Sequence, residues 1–164
     1  MNFLNKTLLF ILLMIVITSL SGCLNQIFPP ITDKDFTLSD LNGNSFTLSN
    51  NLGKPILLCF FLSTCPHCAN EVPHLNAVYN KYKDSHNLLV IGIGVGSSSN
   101  ISEFAETHDI QYPVLVDQSQ KVADLYNVRS VPHNVFINQR GKIVREEIGE
   151  LTEAELELYL QEIL

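Results

Sequence analysis

Two cysteines three positions apart, Cys65 and Cys68, form the pair whose type and spacing could do chemistry. The motif Cys-Pro-His-Cys follows the apolar run 56–62 and precedes an amphipathic segment, so it stands where a strand passes into a helix. Cysteines one helical turn apart can close a disulfide ring without moving the backbone. The partial positive charge of a helix N-terminus stabilises a thiolate on the first cysteine, and a proline suits the first helical position. The motif predicts reversible thiol–disulfide exchange, with the Cys65–Cys68 disulfide as the redox group and no other cofactor.

The motif has three other interpretations. A structural zinc site requires a second pair of ligands, and the rest of the chain offers only Cys59, Cys23 and scattered histidines. A c-type haem site requires a histidine directly after the second cysteine, where this chain has Ala69. An inert structural disulfide is also open, although such bridges more often join distant segments, because closing a longer loop removes more entropy from the unfolded chain. We therefore expect no bound metal.

The N-terminus has the pattern of a secretion signal. Residues 7–18 are almost entirely apolar, a run too short for a comfortable membrane span but typical of the core of a signal peptide. The sequence Leu-Ser-Gly-Cys ending at Cys23 resembles the bacterial lipobox, in which the cysteine is acylated and becomes the mature N-terminus. A plain signal peptide and an uncleaved anchor are the alternatives. Each version places the domain outside the cytoplasm and close to a membrane, with residues 1–22 as the signal.

Composition limits the partners of the remaining chain. Residues 23–34, which contain Pro29-Pro30, are expected to form the lipidated N-terminus and tether, and residues 35–164 a single domain. The signal holds one of the 10 Lys and Arg and none of the 17 Asp and Glu, so the mature chain has a net charge of −8. This charge argues against nucleic acid or anionic lipid as a partner. Cys59 lies in an apolar strand and is expected to be a core residue.

Strand and helix patterns alternate along the chain, which predicts an α/β domain with a mixed sheet. Strands are expected near 36–38, 45–48, 56–62, 88–94, 113–117, 134–138 and 142–148, with hairpins at Asn42-Gly43 and Arg140-Gly141. Helices are expected near 66–83, from Asn100 or Ser102 to 108, near 120–126, and from a capping box at Thr152 and Glu155. Pro73 falls inside the first of these helices and should bend or break it.

Motifs along residues 33–163 resemble those of the thioredoxin superfamily. The motifs are Gly53-Lys54-Pro55, Cys65 to Cys68, Glu71-Val72-Pro73, Tyr112 to Asp117, Val122 to Val128, Val131-Pro132, Val135 to Asn138 and Gly141 to Val144. Their order and spacing are most similar to those of the TlpA/ResA-like membrane-anchored thiol–disulfide oxidoreductases, a redoxin branch related to AhpC/TSA. The resemblance implies a thioredoxin-like fold, with helices flanking a mixed central sheet, an N-terminal β-hairpin, and a helix–strand insertion near 100–117.

The resemblance also implies roles for individual residues. Cys65 corresponds to the exposed attacking thiol, Cys68 to the buried resolving thiol, and Glu71 to an active-site acid that relays a proton to or from Cys68. For Glu71, the alternative is an ordinary surface glutamate. Pro132 corresponds to a cis-proline that faces the disulfide, and the alternative there is an ordinary trans proline. Substrate contacts are expected from Pro66, His67, Val131, Pro132 and His133. His133 would shape either substrate binding or the ionisation of Cys65.

Two positions depart from the family pattern. Thr64 stands where the family usually has tryptophan. The dipeptide Pro66-His67 is the pair found in the DsbA oxidase, whereas reductases of this branch more often carry Glu-Pro or Pro-Pro. An imidazole at His67 stabilises the Cys65 thiolate and makes the disulfide more oxidising, while an anion at Glu71 acts in the opposite sense. The direction of exchange is therefore open.

Several functions fit these features. The leading hypothesis is an extracytoplasmic, lipid-anchored enzyme that reduces protein disulfides, for example the haem-binding cysteines of apocytochrome c. Its partners would be protein thiols and disulfides and a membrane reductant of the CcdA/DsbD type, and a monomer is expected. The alternatives are a DsbA-like dithiol oxidase, a thiol peroxidase on the shared scaffold, and a Sco-type copper protein that uses Cys65, Cys68 and a histidine such as His133.

Overall fold

A seven-stranded mixed sheet forms the centre of residues 34–164, the part of the chain that the computed structural model describes. The strands are β1 (Thr37–Asp40), β2 (Ser45–Thr47), β3 (Ile56–Phe61), β4 (Leu89–Val95), β5 (Val114–Asp117), β6 (His133–Ile137) and β7 (Ile143–Ile148). The helices are α1 (Pro66–Tyr82), α2 (Ser98–Thr107), α3 (Lys121–Leu125) and α4 (Glu153–Leu160), with a 3₁₀ turn at Leu48–Asn51. The predicted signal, Cys23 and most of the predicted tether lie outside the described residues.

The strand order is β2-β1-β5-β4-β3-β6-β7. Strands β3, β4 and β5 run parallel, whereas β1 and β6 run antiparallel to their neighbours β5 and β3. All six residues of β3 are buried, as expected for a central parallel strand with both faces covered. The predicted mixed α/β sheet is therefore confirmed, and β3 carries Cys65 just beyond its end.

Alternation along β3 divides its side chains between two cores. Leu58 and Phe60 pack on one face, with Tyr126 just after α3. Leu57 and Cys59 pack on the other, with apolar residues of α1 and α4. Cys59 is 3% exposed, which confirms that it is a core residue, and its burial raises the pKa of the thiol well above the ordinary value. Cys59 therefore packs as a small apolar side chain.

Helix α1 is continuous from Pro66 to Tyr82 although Pro73 lies inside it. Of the predicted bend or break at Pro73, the break does not occur. Proline removes one backbone donor and destabilises a helix interior by about 3 kcal/mol. Its own side chain is exposed here, and Val72 and Leu75 on either side are buried. Burial of large apolar side chains contributes roughly 1.5–3 kcal/mol each, so the packing of α1 outweighs the lost hydrogen bond.

Helix α2 begins earlier than the sequence predicted. Its N-cap is Ser97, whose hydroxyl accepts a hydrogen bond from the Asn100 N–H at 3.5 Å, and not Asn100 or Ser102. Gly94 in β4 explains the close packing of this helix, because a Cβ there would lie 2.7 Å from Ile101 Cγ2. The helix starts as soon as the chain has turned after β4, where Ser97 is available as a cap.

Two predicted local motifs are confirmed. Strands β1 and β2 form the N-terminal hairpin, with Gly43 in the turn at φ +85°. Thr152 caps α4, and the reciprocal bonds with Glu155 complete the capping box. None of the helices in residues 34–164 combines the length and the apolar character needed to cross a membrane.

Candidate redox site at the start of helix α1

The predicted disulfide joins Cys65 and Cys68 at the first turn of α1, with Cα atoms 5.3 Å apart. Cys65 is the N-cap in extended conformation, and Pro66 occupies the first helical position. This local geometry follows from the sequence, because a proline at that position loses no intrahelical hydrogen bond. Cys68 is 3% exposed, whereas Cys65 is half-buried. Cys65 is therefore the cysteine that a substrate sulfur can reach.

The backbone at the helix start favours an anion on Cys65. The N–H of Cys68 points at the Cys65 sulfur at 3.1 Å. The first N–H groups of a helix have no intrahelical partners, and together they carry about half a positive charge. A thiolate formed on Cys65 would accept the hydrogen bond of this N–H. The same features lower the energy of the reduced form relative to the disulfide.

The Val131–Pro132 peptide bond lies against the disulfide and is cis, as predicted. The Val131 carbonyl oxygen is 3.7 Å from Cys65 Sγ, and Val131 packs against the apolar cluster that contains Cys68. The Pro132 carbonyl accepts a hydrogen bond from the Gly149 N–H at 2.9 Å. Val131 and Pro132, which are more than 60 positions from Cys65 in sequence, thus form one wall of the redox site.

Glu71 is buried on α1, with 1% of its surface exposed, which excludes the alternative of a surface glutamate. Its Oε1 accepts hydrogen bonds from Asn134 Nδ2 at 2.8 Å and from the Leu151 N–H at 2.9 Å. Burial raises the pKa of Glu71 to about 7, and the two hydrogen bonds oppose this effect. A carboxyl group with such a pKa can both take and return a proton near neutral pH.

Cys68 and Glu71 are three residues apart on α1, a spacing that places side chains on the same side of a helix. Both are buried, on the side of α1 that faces the rest of the domain. The structure therefore places a carboxyl group of near-neutral pKa on the same inner surface as the buried sulfur. This arrangement fits proton exchange between the two groups.

His133 follows Pro132, but its side chain lies on the face of the sheet opposite to α1, where Phe60 packs. Its Nε2 is 3.0 Å from Glu146 Oε2, and its ring packs edge-on against Phe60. The neighbouring Asn134 instead points towards Glu71, because successive side chains of a strand face opposite sides. His133 is 3% exposed. Its contribution to substrate binding stays a prediction.

His67, the other residue between the cysteines, is exposed over 72% of its side chain. Its Nδ1 is 3.0 Å from Glu150 Oε2, and Asn70 Nδ2 is 3.3 Å from the same oxygen. Glu150, Leu151 and Asn134 belong to the site but were missed by sequence reasoning. Each contacts α1 across more than 60 positions of sequence, so no local pattern indicates the contact.

A cavity of about 370 Å³ adjoins the residue before Cys65. It lies between the start of α1 and helix α2, and it is lined by Ser63, Thr64, Asn100, Glu103, Phe104, Thr107 and His108. Thr64 is the position at which the sequence departs from the tryptophan expected from the family resemblance. The cavity therefore adjoins Thr64, one residue before the reactive cysteine.

The fold and the helix-capping disulfide define a thioredoxin-like thiol–disulfide oxidoreductase. The chain belongs to the AhpC/TSA family, whose model matches residues 32–146. It is similar to the thiol-disulfide oxidoreductase ResA of Bacillus cereus, with 32% identity over 129 residues, 79% of this chain and 75% of the relative. The ResA of Halalkalibacterium halodurans is 30% identical over 77% of this chain and 72% of its own. The predicted relationship and enzyme class are thereby confirmed.

Solved structures agree on the fold. The exposed lipoprotein thioredoxin of Streptococcus pneumoniae superposes with a TM-score of 0.70 and 27% identity, covering 78% of this chain and 98% of its own. DsbF of Mycobacterium tuberculosis superposes with a TM-score of 0.75 over 84% of this chain and 99% of its own. At 22% identity, the second likeness concerns the fold alone.

Proposed function

We propose that this protein is a lipid-anchored reductase of protein disulfides outside the cytoplasm. The observation that carries the direction of exchange is the buried carboxyl group of Glu71, on the same inner surface of α1 as Cys68. With a pKa of about 7, Glu71 is partly ionised near neutral pH. A nearby anion disfavours a thiolate, so it destabilises the reduced, ionised site relative to the disulfide. A couple whose disulfide is favoured is a reductant.

In the first step, the Cys65 thiolate attacks one sulfur of the substrate disulfide. A bond forms between Cys65 and that sulfur, the substrate S–S bond breaks, and the other substrate sulfur leaves as a thiolate. The Cys68 N–H and the helix N-terminus lower the energy of the attacking thiolate. The half-buried position of Cys65 gives the substrate access.

In the second step, the Glu71 carboxylate takes the proton of the Cys68 thiol. The Cys68 thiolate then attacks Cys65 Sγ, the enzyme disulfide forms, and the second substrate sulfur leaves as a thiolate. The substrate has gained two electrons and the enzyme has lost two. A dithiol of a membrane reductant of the CcdA/DsbD type would return them by the reverse exchange.

The substrate would lie along the wall formed by Val131 and Pro132. The Val131 carbonyl, 3.7 Å from Cys65 Sγ, is placed to accept a backbone hydrogen bond from an extended substrate segment. The exposed His67, two residues after Cys65, and the cavity beside Thr64 would extend this surface. Apocytochrome c, whose haem-binding cysteines must be reduced before haem attachment, is the substrate class that the family resemblance favours.

The lipid anchor is proposed from the lipobox at Cys23 and is supported by the similarity to an exposed lipoprotein of the same fold. Acylation of Cys23 would hold a monomeric domain within a short tether of the membrane. Metabolic labelling with a radioactive fatty acid tests this step. Label should appear in the wild-type chain and be absent from Cys23→Ala.

The reduction potential of the full-length, detergent-solubilised chain tests the direction. We expect the Cys65–Cys68 couple to equilibrate with dithiothreitol at or below about −250 mV, in the range of thioredoxin. A value above about −150 mV would identify a dithiol oxidase.

Two cysteine variants test the order of attack. Cys68→Ser should accumulate mixed disulfides with substrates, whereas Cys65→Ser should not form them. Insulin-reductase activity in Cys65→Ser would contradict the mechanism.

A further inference from the structure

Three consecutive residues between β7 and α4 each contact a different part of the redox site. We name Gly149–Leu151 the connector. Its Gly149 N–H donates to the Pro132 carbonyl, its Glu150 carboxylate meets His67, and its Leu151 N–H donates to Glu71. The two backbone bonds hold the connector at the site from either side of Glu150. The position of the Glu150 carboxylate is therefore set by the fold and not only by its own flexible side chain.

The hydrogen bond between Glu150 and His67 has a definite direction. The bonds from His67 and then Asn70 lower the pKa of Glu150, so its carboxylate is ionised at neutral pH. An ionised carboxylate can only accept hydrogen bonds. The Nδ1 of His67, at 3.0 Å, must therefore carry a proton and donate it. This hydrogen bond orients the Nδ1 edge of the imidazole and places a full negative charge directly beside the ring.

This charge bears on the cysteine couple through His67. His67 is the second residue after Cys65 and belongs to the same helical turn. A positive imidazolium there stabilises the Cys65 thiolate, and a stabilised thiolate makes the disulfide more oxidising. A carboxylate at hydrogen-bond distance from the ring offsets that positive charge. The His67–Glu150 pair therefore presents a less positive field to the sulfur than the imidazole would without the carboxylate.

We propose that Glu150 is a positioning residue that tunes the redox couple: it binds His67 and keeps the Cys65–Cys68 couple more reducing than the Cys-Pro-His-Cys motif would otherwise be. The inference deepens the proposed reductase function. The inference concerns the difference in potential between variants, whereas the proposed function concerns the potential of the wild-type protein. Glu150 could therefore have no effect in a protein that is a reductase, and Glu150 could tune the couple of a protein that is not a reductase.

The test measures the equilibrium of the full-length protein with a glutathione redox buffer. Glu150→Gln removes the charge and preserves the shape of the side chain. We expect the equilibrium to shift towards the reduced protein by about fivefold, which corresponds to a potential about 20 mV higher for a two-electron couple. The matched control is Glu153→Gln, an exposed acid in the first turn of α4 that carries the same charge. It should leave the equilibrium unchanged.

A double-mutant cycle with His67→Gln isolates the pathway of the effect. In the His67→Gln background, Glu150→Gln should change the equilibrium by less than about 1.5-fold, because the imidazole through which the carboxylate acts is absent. Glu150→Asp should restore part of the wild-type value. The rate at which iodoacetamide alkylates Cys65 gives a second measurement, and it should rise at slightly acidic pH in Glu150→Gln because more thiolate is present.

Three results would overturn the inference. Glu150→Gln could leave the potential unchanged or make it lower. It could raise the potential equally in both backgrounds, which would mean that Glu150 acts on Glu71 or on the cysteines directly. The control Glu153→Gln could shift the potential as much as Glu150→Gln. Circular dichroism confirms that each variant is folded, and Glu150→Ser provides a second removal of the carboxylate should the glutamine variant fail to fold.

Discussion

Replacement of Glu71 by glutamine should make the protein more stable, and the gain should depend on pH. The pKa of Glu71 rises from its ordinary value of 4.5 to about 7 in the folded protein because the carboxyl group is buried. A raised pKa means that folding disfavours the ionised form. Glutamine has nearly the same shape and can accept the same hydrogen bonds from Asn134 and Leu151 at its Oε1, but it never carries the charge.

The sign and size follow from proton linkage. Between the unfolded pKa near 4.5 and the folded pKa near 7, the folded protein holds a proton on Glu71 that the unfolded chain has released. Stability therefore falls as the pH rises through this range. At about 1.4 kcal/mol per pKa unit, the loss reaches about 3 kcal/mol above pH 7. It is nearly absent at about pH 4, where both states are protonated.

Urea unfolding of the oxidised protein at about pH 4 and pH 8 measures the difference. The free energy of unfolding of Glu71→Gln minus that of wild type should be about 3 kcal/mol larger at pH 8 than at pH 4. The comparison between variants cancels the titration of the other groups. Glu153→Gln, at an exposed position, should show no such gain. An equal stability difference at both pH values would refute the argument that Glu71 is buried with a raised pKa.

Other predictions concern catalysis and packing. Glu71→Gln should slow the release of substrate by Cys68 by about 10²-fold, and the pH dependence near 7 should disappear from single-turnover rates. Gly94→Ala should destabilise the domain by about 1–3 kcal/mol, because the new Cβ would meet Ile101 Cγ2 at 2.7 Å; Ile101→Ala should then cost less in the Gly94→Ala background than alone, as thermal unfolding would show. Thr152→Ala should lower stability by about 1 kcal/mol through loss of the α4 cap, whereas Thr152→Ser should change it little; equal losses would contradict the capping role.

Much of the redox site could be predicted from the sequence because its chemistry is local. The Cys-Pro-His-Cys motif places two sulfurs on one helical turn, and the preceding apolar run predicts the buried strand that holds it. The capping box at Thr152 and the hairpin at Asn42-Gly43 are local in the same sense. The cis bond before Pro132 was predicted from the family resemblance and not from a local signal.

The remaining features depend on contacts between distant residues, and only the tertiary structure decided them. No local pattern indicated that Glu71 is buried: the family resemblance implied an active-site acid, but the contacts that enclose the carboxyl group come from Asn134 and the backbone of Leu151. The sequence predicted a bend or a break at Pro73, but α1 is not broken, because its packing against the domain holds the helix together. The sequence by itself determined which sulfurs react, because that depends on spacing within one turn. The fold decided which charges surround the disulfide, because Glu150 approaches His67 only when β7 and α4 are in place.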